Sequence, residues 1–338
     1  MVSEPTVADI GEFGLIARLK ERFNRAGAGV VRGIGDDTAV LQITPGWLLL
    51  ATTDAAVEGT HFTRATTTPH TLGRRVLAVN LSDIAAMGGL PRWALISLSL
   101  PDQTPLRFVE ELADGLSEEA ARYQMAIVGG NLARCPDRMV FDVTLLGDVE
   151  PDRVLYRNGA RPGDHVLVTG TLGDSAAGLA VLLGQIPSEA QGVDYLLNRH
   201  RLPTPRIEAG RAIAQSGLAS AMLDLSDGLA SDIGHLADDS QVGAIVDAEH
   251  VPLSPEIQAL AAAANYDPLD WALRGGEDYE LLLTAPPERV PGLITVVQAT
   301  GVRLTDIGEI TATTGTWLRR APGQIEPLGR VHWQHFGQ

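Results

Sequence analysis

The chain of 338 residues exceeds the length at which a single hydrophobic core usually stops growing, so two domains are expected. Hydrophobic residues make up 45% and charged residues 20%, a globular composition that excludes a disordered chain. The formal net charge of −16 argues against binding to nucleic acid or to an anionic membrane surface.

The first half of the chain alternates between strand and helix patterns. We predict strands over residues 30–43 and 47–56, separated by a Pro-Gly turn, and then a helix over residues 71–89 that ends at two glycines. The remaining predicted elements of this half are a strand at 93–100, a helix at 105–125 and strands near 126–130 and 139–149. This order predicts one mixed α/β domain over residues 1–150.

A second α/β series begins after residues 156–166, which are dense in glycine, proline and charge. We therefore place a domain boundary near residue 150 and predict a second mixed α/β domain over residues 151–338. Its predicted elements are a strand at 165–170, a helix at 174–185, a helix after Pro205, a strand at 278–285 and a short β-rich end. The expected fold class is α/β (α+β) with two domains.

The start of the chain and its single cysteine bear on location. Residues 1–23 contain no basic region followed by an apolar stretch, so no signal peptide is expected. No apolar run approaches the ~20 residues that span a bilayer, so no membrane segment is expected. Cys135 is the only cysteine, which excludes an internal disulfide and favours a cytoplasmic protein.

Carboxylates recur beside Gly, Ser or Thr at the ends of apolar elements. On a strand, Thr52 and Asp54 would share a face, while Thr53 could offer its backbone carbonyl. On a helix, Asp224 and Asp227 would lie on one side. Such oxygen ligands, without a cluster of His or Cys, favour Mg²⁺, Ca²⁺ or Mn²⁺ over zinc.

Two of these acidic positions have more than one interpretation. Of the adjacent Asp36 and Asp37, only one can point toward a given site on a strand, and Gly-Asp-Asp is also ordinary turn sequence. Asp83 lies within an apolar helix pattern, so its charge requires a partner, either a bound cation or one of the nearby arginines 74, 75 and 92. The glycine-rich stretch at 170–178 lacks the Lys-Ser/Thr ending of a Walker A loop.

Eight motifs together resemble the thiamine-monophosphate kinase family in order and spacing. They are GIGDD, TTDAAVEGTHF, NLSDIAAMG, IVGGN, YRNGARPGD, VTGTLGDSAAGL, DLSDGLASDIGH and GGEDYEL. The family is similar in fold to aminoimidazole ribonucleotide synthetase and selenophosphate synthetase. The resemblance implies an N-terminal ATP-binding domain that pairs with a second subunit in a homodimer, and a C-terminal α/β domain. The implied reaction is the Mg²⁺-dependent transfer of phosphate from ATP to thiamine monophosphate.

The resemblance also implies site residues, carried over by position. The implied magnesium ligands are Asp37, Thr52, Thr53, Asp54, Asp83, Asn131, Asp224 and Asp227. The implied ATP contacts are Tyr123, Gly130, Asn131, Arg157 and Ser226. The implied contacts to thiamine monophosphate are His61, Glu277 and Trp333. No general base is expected, because the acceptor is a phosphate whose second pKa is near ~6 and which is already anionic at neutral pH.

Several of these assignments have a plain structural alternative. Trp333 is equally an aromatic residue of a hydrophobic core, and His61 could be a structural imidazole beside a strand. Many relatives have Asp where this chain has Asn131, whose amide oxygen could still bind a metal or the nucleotide, or could merely support a Gly-Gly turn. Alternative functions are a selenophosphate synthetase-like or hydrogenase-maturation-like enzyme, or a non-catalytic nucleotide-binding relative.

Overall fold

The computed structural model describes residues 4–23, 27–34, 38–186, 192–321 and 323–329. The chain divides into two compact units: unit 1 comprises Met1–Ile84 and Leu90–Pro151, and unit 2 comprises Ala85–Gly89 and Asp152–Gln338. Both units mix helices with sheets, which confirms the predicted fold class. Within the described ranges, no helix is both long and apolar enough to cross a membrane.

Unit 1 is built on a four-stranded sheet. Its strands lie in the order β3-β6-β4-β5, with β4 and β5 parallel and the other neighbours antiparallel. The elements are α1 (Val7–Phe23), β1 (Val30–Arg32), β2 (Val40–Leu41), β3 (Leu48–Val57), α2 (Pro69–Ala86), β4 (Leu90–Leu100), α3 (Leu106–Arg122), β5 (Ala126–Arg134) and β6 (Val140–Val149).

One face of this sheet is covered and the other is largely open. Along β6, Phe141, Val143 and Leu145 are buried, whereas the side chains that alternate with them are half-buried. Helices α2 and α3 contribute buried leucines to this unit and approach each other closely at two glycines. A Cβ on Gly73 would lie 2.1 Å from the carbonyl oxygen of Leu112, so only glycine fits there.

Unit 2 is built on a seven-stranded sheet in the order β13-β12-β9-β11-β7-β10-β8. All neighbouring strands are antiparallel except β12 and β9. The strands are β7 (His165–Thr169), β8 (Ala221–Asp224), β9 (Gly243–Asp247), β10 (Leu281–Ala285), β11 (Leu304–Thr311), β12 (Gly315–Ala321) and β13 (Gln324–Pro327). The α-helices are α4 (Asp174–Leu182), α5 (Val193–Arg201), α6 (Ile207–Ser216), α7 (Leu229–Ser240), α8 (Pro255–Ala264), α9 (Pro268–Arg274) and α10 (Val290–Gln298).

Two hydrophobic clusters hold unit 2 together. In the larger one, Val166 and Val168 of β7 pack with Ile233 and Leu236 of α7, all fully buried. In the smaller one, side chains of α4, α5 and α8 pack around Leu196. The interior strand β7 and the helix α7 therefore form part of the core that supports the loops described below.

The structure departs from two predicted elements and contains one helix that was not predicted. The strand predicted over residues 30–43 is a short antiparallel ribbon of β1 and β2. Helix α1 was not predicted from the sequence, and it is kinked at Gly11, where φ is 67°. The strand predicted from residue 278 begins at Leu281, because Glu277 and Tyr279 have left-handed backbone angles that a strand does not accommodate.

Candidate active site

A group of side-chain oxygen atoms lies on the covered face of the unit 1 sheet. Thr52 and Asp54 stand opposite the buried Leu145 and Val143 in the β3–β6 ladder, so the prediction that they share a face is confirmed. The hydroxyl of Thr52 donates to Oδ2 of Asp83, on α2, over 2.5 Å. The β3 strand and the α2 helix thus bring these three side chains together.

The electrostatics of this group favour a cation. Burial, and then the neighbouring Asp83 carboxylate, raise the pKa of Asp54 to about 6, even though solvent still reaches the Asp54 side chain. Two of the arginines considered for Asp83 pair elsewhere: Arg74 with Glu118 and Glu119, and Arg92 with Asp148. An added positive charge beside Asp54 would favour its ionised form, which burial and the neighbouring Asp83 carboxylate oppose.

Thr53 points away from this group. It alternates with Thr52 and Asp54 along β3, and its hydroxyl lies 3.3 Å from that of Thr144. A contribution of Thr53 to the same cation would therefore come from its backbone carbonyl.

Gly130 and Asn131 lie on β5, at the opposite edge of the sheet from β3. Asn131 is exposed and in register with Ser97 on the open face. A Cβ on Gly130 would lie 1.8 Å from the carbonyl oxygen of Ile96, so this position accepts only glycine. Since β6 and β4 stand between the two edges, Asn131 and Asp54 are three strand spacings apart, about 14 Å.

The other predicted residues of unit 1 occupy separate positions. His61 lies just beyond β3. Its Nδ1 accepts a hydrogen bond of 3.1 Å from the amide of Val57, the last residue of that strand, so the proton of a neutral His61 ring lies on Nε2. Tyr123 ends α3, with its ring beneath the Arg122 guanidinium at 5.5 Å. Asp36, Asp37 and Trp333 lie outside the described residues.

In unit 2, the predicted residues Asp224, Ser226 and Asp227 form a turn, residues 224–228, which we call the Asp227 loop. Asp224 is the last residue of β8, and α7 begins only at Leu229. The prediction that Asp224 and Asp227 share a helix face is therefore wrong. The glycine before α7 breaks the helical pattern on which that prediction depended, since Gly228 has a φ of 100°.

Asp232 holds the Asp227 loop from the first turn of α7, and its role was not predicted. Its Oδ2 accepts the amide of Asp227 over 3.1 Å. Burial, and then the Asp224 and Asp227 carboxylates, raise the pKa of Asp232 to about 8. The ligand atoms of Asp227, Asp232 and His235 lie within 4.8 Å of one another. The spacing from Asp227 to Asp232 was visible in the sequence, but only the turn brings the two side chains together.

Residues 275–280, the Glu277 loop, are bonded to the Asp227 loop through the backbone. The amide of Glu277 donates to the carbonyl of Ser226 over 2.8 Å, and the amide of Tyr279 donates to that of Leu225 over 2.9 Å. Glu277 and Tyr279 have φ values of 68° and 52°, which non-glycine residues seldom adopt. A residue expected to bind the acceptor is thus fixed directly beside a residue expected to bind ATP.

The side chain of Asp278 caps the N-terminus of helix α4. Its Oδ2 accepts the amide of Gly173 over 2.6 Å, and its Oδ1 accepts that of Ser175 over 3.3 Å. Burial raises the pKa of Asp278 to about 7. The amides at this helix start are therefore already bonded to a carboxylate, in agreement with the prediction that the glycine-rich stretch is not a Walker A loop.

Glu280 is held by arginines. Its carboxylate accepts hydrogen bonds from Arg199 (2.9 Å), Arg206 (2.6 Å) and Thr169 (2.7 Å). Burial alone would raise the pKa of Glu280, but the two guanidinium groups keep it below its usual value. This cluster joins β10 to α5 and to the chain before α6.

Arg157 lies at the other end of α7 from Ser226. The backbone carbonyl of Arg157 accepts from Oγ of Ser240, the last residue of α7, and its guanidinium lies 3.8 Å from Asp239. The 12-residue helix between them is about 18 Å long. One nucleotide that touched both Arg157 and Ser226 in the same subunit would have to extend along this helix.

Comparisons with known proteins cover nearly the whole chain. It matches the family AIR synthase related protein, N-terminal domain, over residues 35–149, and AIR synthase related protein, C-terminal domain, over residues 161–319. It is 42% identical to the thiamine-monophosphate kinase of Escherichia coli (strain K12) over 330 residues, which cover 96% of this chain and 98% of that protein.

Two solved structures are similar along the chain. The first is the thiamine-monophosphate kinase from Stenotrophomonas maltophilia K279a, with a TM-score of 0.80 and 36% identity over 91% of this chain and 96% of that one. The second is AaThiL complexed with AMPPCP and TMP, with a TM-score of 0.76 and 35% identity over 99% of this chain and 100% of that one.

Proposed function

The chain belongs to the thiamine-monophosphate kinase family, and we propose that it transfers the γ-phosphate of ATP directly to thiamine monophosphate, giving ADP and thiamine diphosphate. An oxygen of the acceptor phosphate attacks the γ-phosphorus, and the bond to the β-phosphate oxygen breaks. The identity extends over nearly the whole of both chains, which favours this reaction over a selenophosphate synthetase-like or hydrogenase-maturation-like activity and over a non-catalytic role.

The observation that carries the mechanism is that two carboxyl groups, Asp54 and Asp232, have pKa values raised first by burial and then by neighbouring carboxylates. Asp54 is affected by Asp83 in unit 1, and Asp232 by Asp224 and Asp227 in unit 2. Such donor sets fit Mg²⁺, a hard cation that prefers oxygen ligands. Bound Mg²⁺ would neutralise the phosphate charges that repel one another as donor and acceptor approach.

The residues that would hold each partner follow the family resemblance. For Mg²⁺ they are Asp37, Thr52, Thr53, Asp54, Asp83, Asn131, Asp224 and Asp227. For ATP they are Tyr123, Gly130, Asn131, Arg157 and Ser226. For thiamine monophosphate they are His61, Glu277 and Trp333. The chain's own task is to orient the two substrates, because the acceptor phosphate is already an anion at neutral pH.

We also propose that the protein acts as a homodimer. Within one subunit, Asn131 and Asp54 lie at opposite sheet edges, too far apart to bind one ion, whereas a second copy could bring the two edges together. Two large apolar side chains are exposed on the open face, Leu49 at 50% and Leu95 at 36%. Sedimentation should give twice the 35.9 kDa chain mass, and Leu49→Arg should shift the protein toward monomer.

We retain a cytoplasmic location as a further proposal. It is supported by the single cysteine, Cys135, which suits a reducing compartment.

The function is tested by product analysis with ATP and Mg²⁺. Thiamine monophosphate, free thiamine and aminoimidazole ribonucleotide precursors are offered in parallel. We expect thiamine diphosphate from thiamine monophosphate and no phosphorylation of thiamine, whose neutral hydroxyl would need a general base. Absence of thiamine diphosphate would reject the proposed function, and equal use of both thiamine acceptors would reject the mechanism.

A further inference from the structure

A buried histidine contacts the expected acceptor-binding carboxylate. His200 lies near the end of α5 and is only 4% exposed. Its Nδ1 lies 3.3 Å from Oε2 of Glu277 and 3.1 Å from Oγ of Ser175. Glu277 itself is half-buried, with 30% of its side chain exposed, so one end of the carboxylate faces the protein while solvent reaches the side chain.

The chemistry of the two groups fixes the proton. An ionised carboxylate has no proton to donate, so the contact is attractive only if Nδ1 of His200 carries the hydrogen. The hydroxyl of Ser175 can accept from the same N–H, and it lies at the start of α4. His200 therefore donates toward Glu277 from a ring that α4 and α5 hold in place.

The backbone of Glu277 shows that its direction is imposed. A φ of 68° at a non-glycine residue costs of order 1–3 kcal/mol and persists only where the surroundings determine it. Here the Glu277 amide is bonded to Ser226, and the next residue, Asp278, is bonded to the amides of Gly173 and Ser175. These backbone bonds fix the position of the Glu277 Cα, and His200 contacts the carboxylate at the end of the Glu277 side chain.

We propose that His200 is a positioning residue that aims the Glu277 carboxylate at the thiamine part of the acceptor. The inference rests on the proposed function, in which Glu277 binds thiamine monophosphate. With the Nδ1–H bond in place, Oε2 of Glu277 faces His200, which limits the directions that the carboxylate can take when the cationic ligand binds. Without this bond the side chain regains rotamer freedom, which must be lost again when the ligand binds.

The test compares His200→Leu, which removes the donor, with His200→Asn, whose amide nitrogen stands where Nδ1 does. Tyr195→Phe is the matched control, because it removes a hydrogen bond of 3.2 Å to Asp174 from the same helix. We expect His200→Leu to raise the KM for thiamine monophosphate about 10-fold, the size of a lost hydrogen bond to a charged group, with the KM for ATP unchanged. His200→Asn should restore most of this loss, and Tyr195→Phe should leave both KM values unchanged.

A double-mutant cycle separates positioning from packing. If His200 acts through Glu277, His200→Leu combined with Glu277→Gln should raise the KM for thiamine monophosphate no further than Glu277→Gln alone. Additive effects, or equal losses for both substrates that follow the folded fraction, would overturn the inference. If the wild-type protein forms no thiamine diphosphate, the proposed function fails and the inference with it. If the wild-type protein forms thiamine diphosphate and His200→Leu leaves the KM for thiamine monophosphate unchanged, the inference alone is rejected.

Discussion

Asp232 and Glu280 are both buried carboxylates of unit 2, yet their surroundings are opposite. The acids Asp224 and Asp227 lie around Asp232, and its pKa is raised to about 8. Arg199 and Arg206 lie around Glu280, and its pKa is lowered. Glu280 therefore has its counter-charges within the chain, whereas Asp232 lies beside two other carboxylates.

This difference separates a structural role from a ligand-binding role. A buried acid paired with arginines is complete within the chain, and removing it leaves unpaired charges. A buried acid next to other acids destabilises the protein until a cation or a proton arrives, so selection would keep it only for what it binds. Asp54 of unit 1 resembles Asp232 in one respect: its pKa is raised by burial and then by a neighbouring carboxylate, that of Asp83, although solvent reaches its side chain.

The largest expected effect on stability is at the arginine-paired acid. Glu280→Gln removes the buried counter-charge of Arg206 and leaves Arg199 with the Asp174 carboxylate at 3.8 Å, so it should lower the free energy of unfolding by about 3–5 kcal/mol. Urea unfolding at neutral pH measures the change. The comparison predicts that Asp232→Asn, without added metal, loses no stability in the same experiment. A similar loss for both variants would remove the distinction between the two acids.

The next effect is on turnover at the unit 1 acids. Asp54→Asn and Asp83→Asn should each lower kcat about 100-fold or more, because each removes a charge that would stabilise the transition state through the cation. Since the two carboxylates repel each other, the metal-free variants should melt no lower than wild type. Asp102→Asn, a surface acid paired with Arg134, is the control. Lower melting with activity that follows the folded fraction would make these acids structural.

A smaller effect is expected in the pH dependence of stability without metal. The folded pKa of Asp232, about 8, is above its ordinary 3.8, so its stabilising contribution is complete below about pH 4 and is lost as the pH rises through 8. Melting should therefore occur several degrees lower at about pH 9 than at about pH 6. Mg²⁺ or Asp232→Asn should reduce this difference, and an unchanged pH profile in Asp232→Asn would contradict the assignment.

The smallest expected effect is at Asn131, where this chain offers an uncharged oxygen. We expect Asn131→Asp to remain active with an equal or lower Mg²⁺ requirement, and Asn131→Ala to need more Mg²⁺ and turn over slowly. Steady-state assays across a Mg²⁺ titration measure this. If the curves of Asn131→Ala and wild type coincide, Asn131 does not take part in the site.

The sequence predicted what depends on local pattern. Alternation along β3 placed Thr52 and Asp54 on one face, and the missing Lys-Ser/Thr ending of residues 170–178 argued against a Walker A loop. The prediction from sequence was wrong where a change in backbone conformation interrupts a helical pattern, as at Gly228, which separates the Asp227 loop from α7. It also could not show contacts between distant segments, such as that of His200 with Glu277, because nothing in either local sequence marks the other.

The interior position of β7 in its sheet has a consequence for how the chain is synthesised. Its neighbours in the sheet are β10 and β11, and His165 of β7 contacts Asp306, which lies 141 positions later. At 5–20 residues per second, a ribosome needs roughly 7–28 s to add that stretch. During this time β7 emerges with both of its hydrogen-bonding edges unpaired, so unit 2 completes its sheet only near the end of synthesis, and nascent chains halted before β10 should be the ones that bind chaperones.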